Sequence, residues 1–234
     1  MNKAKKILIV GASRGLGHAM TVEFLTRGWN VIGTVRGQEH TQLHDLSERY
    51  SGRVQVEHLD ICDQSQIISL HDRLAGTRLD MLFVNAGTTN RNPDQTIGEV
   101  DTDDFVNVMI TNALSPMRVV ESLEDNVENR GLIGIMSSGQ GSITDNTKGM
   151  REVYRGSKAA LNMYMKCFAA RQEQAGKSRA LALIAPGWIK TSLGGDDAPY
   201  TMEETVPMIV QVLLDKSSRP GLEYLDRFGK IIPW

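Results

Sequence analysis

The stretch KKILIV at 5–10, running straight into Gly11-Ala12-Ser13-Arg14-Gly15-Leu16-Gly17, constrains the fold more than any other part of the chain. A near-continuous apolar run of this length reads as a strand buried on both faces, the habit of parallel sheets covered by helices. The glycines let the backbone turn tightly, and HAMTVEFLTRG then reads as a helix that stops at Gly28. Strand, glycine turn and helix in that order make a phosphate-binding loop. No side chain blocks a pyrophosphate there, and the helix start offers free N–H groups and partial positive charge. The spacing is GxxxGxG rather than GxGxxG, so the glycine count alone says little; their position after the first strand is what points to a nucleotide.

The alternation continues along the chain. Strands are expected at WNVIGTV (29–35), RVQVEHLD (53–60), LDMLFVNAG (79–87), LIGIMSS (132–138) and ALALIAP (180–186), with GKIIPW (229–234) closing as a short edge strand. Helical patterns lie between them, including a long helix over Thr102–Ser122 followed by a polar turn, ENRG (128–131). Repeated strand-then-helix order predicts an α/β chain, a Rossmann-type doubly wound parallel sheet with helices on both faces. No composition shift, repeat or low-complexity stretch marks a boundary, so residues 1–234 are expected to form a single domain. The glycine-rich segment at 191–206 follows the sixth strand and reads as a lid over a substrate.

Composition narrows the function classes. A net charge of −2 provides no basic field for nucleic acid or membranes. Cys62 and Cys167 lie far apart, form no CxxC, and suit a reducing cytosol. The apolar run Ile7–Val10 is too short for a signal peptide, and no stretch is long enough to cross a bilayer. A cytoplasmic protein is expected. His40 and His44 stand at i, i+4, but no third ligand is near, so no metal is expected.

The second strand selects the nucleotide. It ends Thr34-Val35-Arg36-Gly37, with no acid before Glu39 to take a ribose 2′-hydroxyl. Arg36, with Arg14 in the glycine loop, offers donors suited to a 2′-phosphate, so NADP(H) is preferred over NAD(H).

Further along, GMREVYRGSK places Tyr154 and Lys158 one helical turn apart. Hydride addition to a carbonyl leaves an alkoxide that needs a proton. A tyrosine whose pKa is held down by a neighbouring ammonium can supply it. A serine at the end of the fifth strand could donate to the same oxygen. Ser137 and Ser138 are adjacent and point opposite ways, and Ser142 is a weaker rival.

Taken in order, GASRGLG (11–17), LDICD (59–63), NAG (85–87), Asn112, SS (137–138), YRGSK (154–158) and PGWIKT (186–191) resemble the short-chain dehydrogenase/reductase family over essentially the whole chain. PGWIKTSLGG and the GKIIPW ending are further similar to its C-factor-like and Sniffer-like carbonyl reductases. The resemblance implies an NADPH-dependent oxidoreductase acting on a small carbonyl or alcohol, with Ser138, Tyr154, Lys158 and Asn112 as catalytic residues. Asn112 would hold a water linking the lysine to solvent, and Lys158 would also bind the nicotinamide ribose. Gly11, Ser13, Arg14, Gly15, Leu16, Gly17 and Arg36 would hold the phosphates, and Asp60 and Ile61 the adenine. Asn85, Ala86 and Gly87 would run along its ribose, and Pro186, Gly187, Trp188, Ile189 and Thr191 would meet the nicotinamide. The family also implies a homodimer or homotetramer. An alternative is a dinucleotide-binding signalling protein of the C-factor type. Two departures stand out: Val10 where many members have threonine, and a longer interval before Tyr154, assigned to the polar excursion at 144–152.

Overall fold

Side chains of the first strand, β1 (Lys6–Val10), alternate between two cores: Ile7 and Ile9 enter one, Leu8 and Val10 the other. This is the period-two consequence of a strand covered on both faces. The computed structural model describes residues 4–234. Among them β1, β2 (Asn30–Val35), β3 (Val54–His58), β4 (Leu79–Val84), β5 (Val127–Met136), β6 (Ala180–Ala185) and β7 (Gly221–Asp226) form one sheet. Its order is β3-β2-β1-β4-β5-β6-β7, and every neighbouring pair is parallel.

Helices α1 (Gly15–Thr26), α2 (Gln42–Arg49) and α7 (Met202–Lys216) cover the first face, inserting Phe24, Leu43 and Ile209. Helices α3 (Gln64–Arg73), α5 (Ser115–Leu123) and α6 (Glu152–Gln174) cover the second, with Ile67, Val120 and Phe168. The strand order reverses beside β1, so a crevice opens beyond the carboxyl ends of β1 and β4.

Four sequence expectations change. The helix read as Thr102–Ser122 consists of α4 (Thr102–Met109), a π-helical turn at Ile110–Leu114, and α5. Pro116 explains the break: it has no N–H to give the carbonyl four residues earlier, that of Asn112. Next, the ENRG turn lies within β5. Leu79 pairs with Val127 and Met81 with Leu132, so the polar residues Glu128 to Arg130 are looped out of register rather than placed before the strand. Third, the edge strand is β7, GLEYLD, and not GKIIPW. The latter turns back at Gly229 and touches β7 through an antiparallel Leu225–Ile231 bridge. Lastly, the segment expected as a lid ends earlier, because Met202 onward belongs to α7, capped by Thr201 and Glu204.

Candidate active site

The glycine loop forms where β1 meets α1. Gly11 adopts a φ of +87° and Gly15 a φ of +57°, left-handed values that a side chain would strain. The Thr34 hydroxyl on β2 accepts from Gly11 N at 2.9 Å, which fixes the loop although Val10 brings no hydroxyl of its own. Asn85 donates from Nδ2 to the Gly11 carbonyl at 3.0 Å and so ties β4 to the same turn. A Cβ on Gly17 would sit 2.0 Å from that carbonyl, so only glycine lets α1 approach so closely. No side chain caps the first turn of α1, leaving its N-terminal N–H groups directed at the loop.

A cleft of ≈ 760 Å³ extends from this loop across the carboxyl ends of the strands. Gly11, Ser13, Arg14, Gly15, Leu16 and Arg36 line one end; Asp60, Ile61, Asn85, Ala86 and Gly87 line its floor. Ser138, Tyr154, Lys158, Pro186, Gly187, Trp188, Ile189 and Thr191 line the other end. Two expected site residues do not reach it, Gly17 and Asn112. Gly17 acts through the close packing just described.

Asn112, in the π-helical turn, is fully buried and clamps the chain leaving β4. Its Oδ1 accepts from Thr88 N at 2.8 Å, while Nδ2 donates to the Thr88 carbonyl at 2.8 Å and to Ser157 Oγ at 3.0 Å. Through these bonds the side chain fixes the backbone at Thr88 and reaches α6 at Ser157.

The two serines after β5 both border the cleft but differ in burial and partners. Ser137 is buried, and its Oγ donates to Asn162 Oδ1 at 2.7 Å on α6. Ser138 is less buried and lines the cleft beside Tyr154, where its Oγ accepts from Gln140 N at 3.2 Å. Ser142 instead donates to the carbonyl of Trp234 at 3.3 Å, away from the cleft lining. Tyr224 on β7 donates its hydroxyl to the Ser138 carbonyl; burial pushes that hydroxyl up to about 12. Asn162 and Tyr224 thus position the serine pair, and nothing in their local sequence announces it.

Lys158 Nζ donates to the Met136 carbonyl at 2.9 Å and lies 5.8 Å from the Tyr154 ring centroid. Burial lowers its pKa to about 8. For Tyr154 the sign differs from the expectation. Burial raises its pKa, and the Ser138 hydrogen bond and the Arg151 charge only partly counter that. The ammonium faces a carbonyl, so in this geometry burial outweighs it.

The excursion before Tyr154 ends in three successive left-handed residues, Gly149, Met150 and Arg151, with φ of 63°, 52° and 55°. A non-glycine residue in this conformation costs ~1–2 kcal/mol. Hydrogen bonds from Gly149 N to Asn146 Oδ1 and from Arg155 Nε to the Met150 carbonyl hold the turn. Arg151 lines the cleft next to Tyr154, a placement the sequence reading did not single out.

Other expectations concern surrounding residues. His40 bonds to Asp45 at 2.7 Å and His44 accepts from Thr41 N at 3.0 Å in the cap of α2. Among the described residues no cluster of three or more His, Cys, Asp or Glu is arranged for a metal ion, and no helix is long and apolar enough to cross a membrane. Met136, Trp188 and Leu193 line the cleft as expected, whereas Tyr200 packs under the Arg227 guanidinium at 3.7 Å.

A parallel sheet with a glycine loop at its switch point, and a Ser–Tyr–Lys cluster across the same cleft, defines a nucleotide-binding oxidoreductase of the Rossmann type. The profile of the short chain dehydrogenase family matches residues 5–199, and the chain belongs to that family. It is 31% identical over 235 residues to the 1-hydroxy-2-glutathionyl-2-methyl-3-butene dehydrogenase of Rhodococcus sp. (strain AD45), covering 97% of this chain and 99% of that one. Among solved structures, one described as a short-chain dehydrogenase/reductase from Burkholderia multivorans with bound NADP is similar at 60% identity and a TM-score of 0.97, covering 99% of this chain and 100% of that one. A carbonyl reductase from Pseudomonas aeruginosa PAO1 in complex with NADP is 30% identical with a TM-score of 0.88, covering 99% and 100%.

Proposed function

We propose that this protein is an NADP(H)-dependent oxidoreductase that interconverts a carbonyl compound and its alcohol, with Tyr154 moving the proton. The observation that carries this reading is a single cleft with unpaired arginines at one end and Ser138, Tyr154 and Lys158 at the other. Arg14 and Arg36 are both exposed, and neither enters an ion pair among the described residues. The Rhodococcus relative is a dehydrogenase of a hydroxylated compound and the Pseudomonas structure is a carbonyl reductase with NADP. Both support the same chemistry here.

The donor set fits the cofactor. The uncapped first turn of α1, with Gly11, Ser13, Gly15 and Leu16, would hold the pyrophosphate. Arg14 and Arg36 would take the 2′-phosphate, Asp60 and Ile61 the adenine, and Asn85 to Gly87 its ribose. Pro186 to Ile189 and Thr191 would border the nicotinamide, which when bound supplies or accepts the hydride.

The chain's own part is proton handling and orientation. Ser138 donates to the substrate oxygen where negative charge develops. Tyr154 gives that oxygen its proton, and in the reverse direction removes it. Lys158, charged below pH of about 8, stabilises the phenolate left behind. Asn112 holds Thr88, and with it the floor under Lys158; a Cβ on Gly87 would lie 3.3 Å from Asn112 Oδ1 and 3.6 Å from Lys158 Nζ. Residues 191–201 serve as the flap over the substrate end. Its first turn is held locally, by Trp188 Nε1 to the Gly194 carbonyl at 2.6 Å and Gly194 N to Thr191 Oγ1 at 2.9 Å, while Tyr200 anchors its far end against Arg227.

Absorbance loss of NADPH with a panel of aldehydes and ketones tests the reading. Tyr154→Phe should lower kcat at least about 100-fold while NADPH still binds. Full turnover in that variant would overturn the assignment.

A further inference from the structure

We infer that Arg151 is a recognition residue for an anionic group on the substrate, so that the carbonyl compounds this enzyme prefers carry a carboxylate or comparable anion close to the reacting carbon. The inference rests on the oxidoreductase reading above and deepens it to a substrate class.

Five charged residues line the cleft: Arg14, Arg36, Asp60, Arg151 and Lys158. Arg14, Arg36 and Asp60 lie at the nucleotide end and are matched by the parts of a dinucleotide. Lys158 is buried against the Met136 carbonyl. That leaves Arg151 as the cation at the substrate end, and no acidic side chain lines the cleft there. Its guanidinium forms no ion pair and no hydrogen bond with the described residues, although Asp145 and Glu152 belong to the same excursion. Glu152 is engaged elsewhere, accepting from Ile97 N at 2.7 Å. The charge of Arg151 is nevertheless near enough to Tyr154 to act on its hydroxyl.

The local structure offers no stabilising reason for an arginine at this point. Arg151 has a left-handed backbone that disfavours long side chains, and it stands directly after Met150, which is strained in the same way. It is the N-cap of a 23-residue helix, where its side chain caps nothing and its positive charge opposes the helix dipole. Asparagine or glycine would satisfy the backbone better. What the arrangement does achieve is to direct a planar, five-donor cation into the cleft one helical turn before the tyrosine, the geometry that suits a carboxylate. Gln140 on the same rim leaves its Oε1 without a partner, so an amide or hydroxyl donor next to the anion would also be met.

The test compares 4-carboxybenzaldehyde with its methyl ester as substrates of the NADPH-loaded enzyme. The expected result is an acid-over-ester preference of at least about 10-fold in kcat/KM, which falls by at least that factor in Arg151→Gln and is partly restored in Arg151→Lys. Arg151→Asn, which suits the left-handed backbone, should lose the preference as well, separating charge from folding. An equal preference in the wild type, or an unchanged ratio in Arg151→Gln, overturns the inference. If neither aldehyde is turned over, the oxidoreductase reading is what fails. Titration of 4-(hydroxymethyl)benzoate against its methyl ester into the NADP-loaded protein then decides the anion site: tighter binding of the anion that is lost in Arg151→Gln supports it, and equal binding overturns it.

Discussion

At the scale of single residues, the site is a set of charges placed where only some have partners. Lys158 is the clearest case. In the unfolded chain it titrates at its ordinary 10.5, and in the fold at about 8. Below pH of about 8 both states hold the proton, and the full cost of the buried ammonium, on the order of 3 kcal/mol, is present. Between about 8 and 10.5 the unfolded chain binds more protons, so stability rises with pH through that window. Denaturant unfolding of wild type and Lys158→Met, without cofactor, at several pH values from 7 to 10 should show the difference shifting toward the wild type as pH rises; a constant difference would refute the depressed pKa. Arg36 makes a second prediction at this scale. Unpaired and exposed, it should set cofactor choice, and Arg36→Ala should cut the NADPH-over-NADH preference by about 10- to 100-fold in binding titrations. An unchanged ratio would assign the choice to Arg14 or to neither.

At the scale of elements, the π-helical turn between α4 and α5 is the feature with the most consequence. Pro116 has no N–H to give the Asn112 backbone carbonyl, and the Asn112 side chain, separately, bonds across to the backbone of Thr88. Asn112→Ala would remove the partners of the half-buried Thr88 N–H and carbonyl, and is expected to destabilise the fold by about 1–3 kcal/mol in urea unfolding. Because Thr88 follows Gly87 beneath Lys158, activity should fall together with stability, and the aspartate variant should restore only the Thr88 N–H contact. The helix was legible in the sequence; the turn inside it was not. Proline early in a helix is a common and tolerated feature, and only the continuous chain on both sides shows that this one is internal. The strands divided in the same manner. Apolar runs buried on two faces were plain, whereas β7, with Leu222, Glu223 and Tyr224 at an edge, has too little apolar content to stand out.

At the scale of the molecule, the sheet brings residues from every part of the chain to one rim. The carbonyl of Trp234 receives hydrogen bonds from Ile143 N, Thr144 N and Ser142 Oγ, at 2.8, 3.1 and 3.3 Å, so the final residue braces the segment after Ser138. The outer faces of α4 and α6 meanwhile carry exposed apolar side chains, Val106, Met163 and Tyr164, with Leu114 in the π-helical turn. We expect these to be covered in a homodimer or homotetramer, since singly scattered apolar residues need no partner but several on adjoining helices do. Sedimentation velocity should report an assembly larger than 25.9 kDa, and Met163→Glu with Tyr164→Glu should shift it toward the monomer. A monomeric wild type would refute the expectation.

The sequence by itself determined the sheet, the phosphate loop and the family. Those properties rest on short-range rules: two-sided burial of a strand, the glycine needed at a positive φ, and a tyrosine and lysine one helical turn apart. The tertiary structure alone decided that the Ser137 hydroxyl is engaged in the interior, because its partner Asn162 lies 25 residues downstream, as Tyr224, the partner of the Ser138 carbonyl, lies 86. It also decided that Asn112 holds backbone, that burial governs Tyr154, and that Arg151 points inward. For the serines and Asn112 the deciding partners are distant in the chain and adjacent only in the fold, so no local pattern of residues could record them.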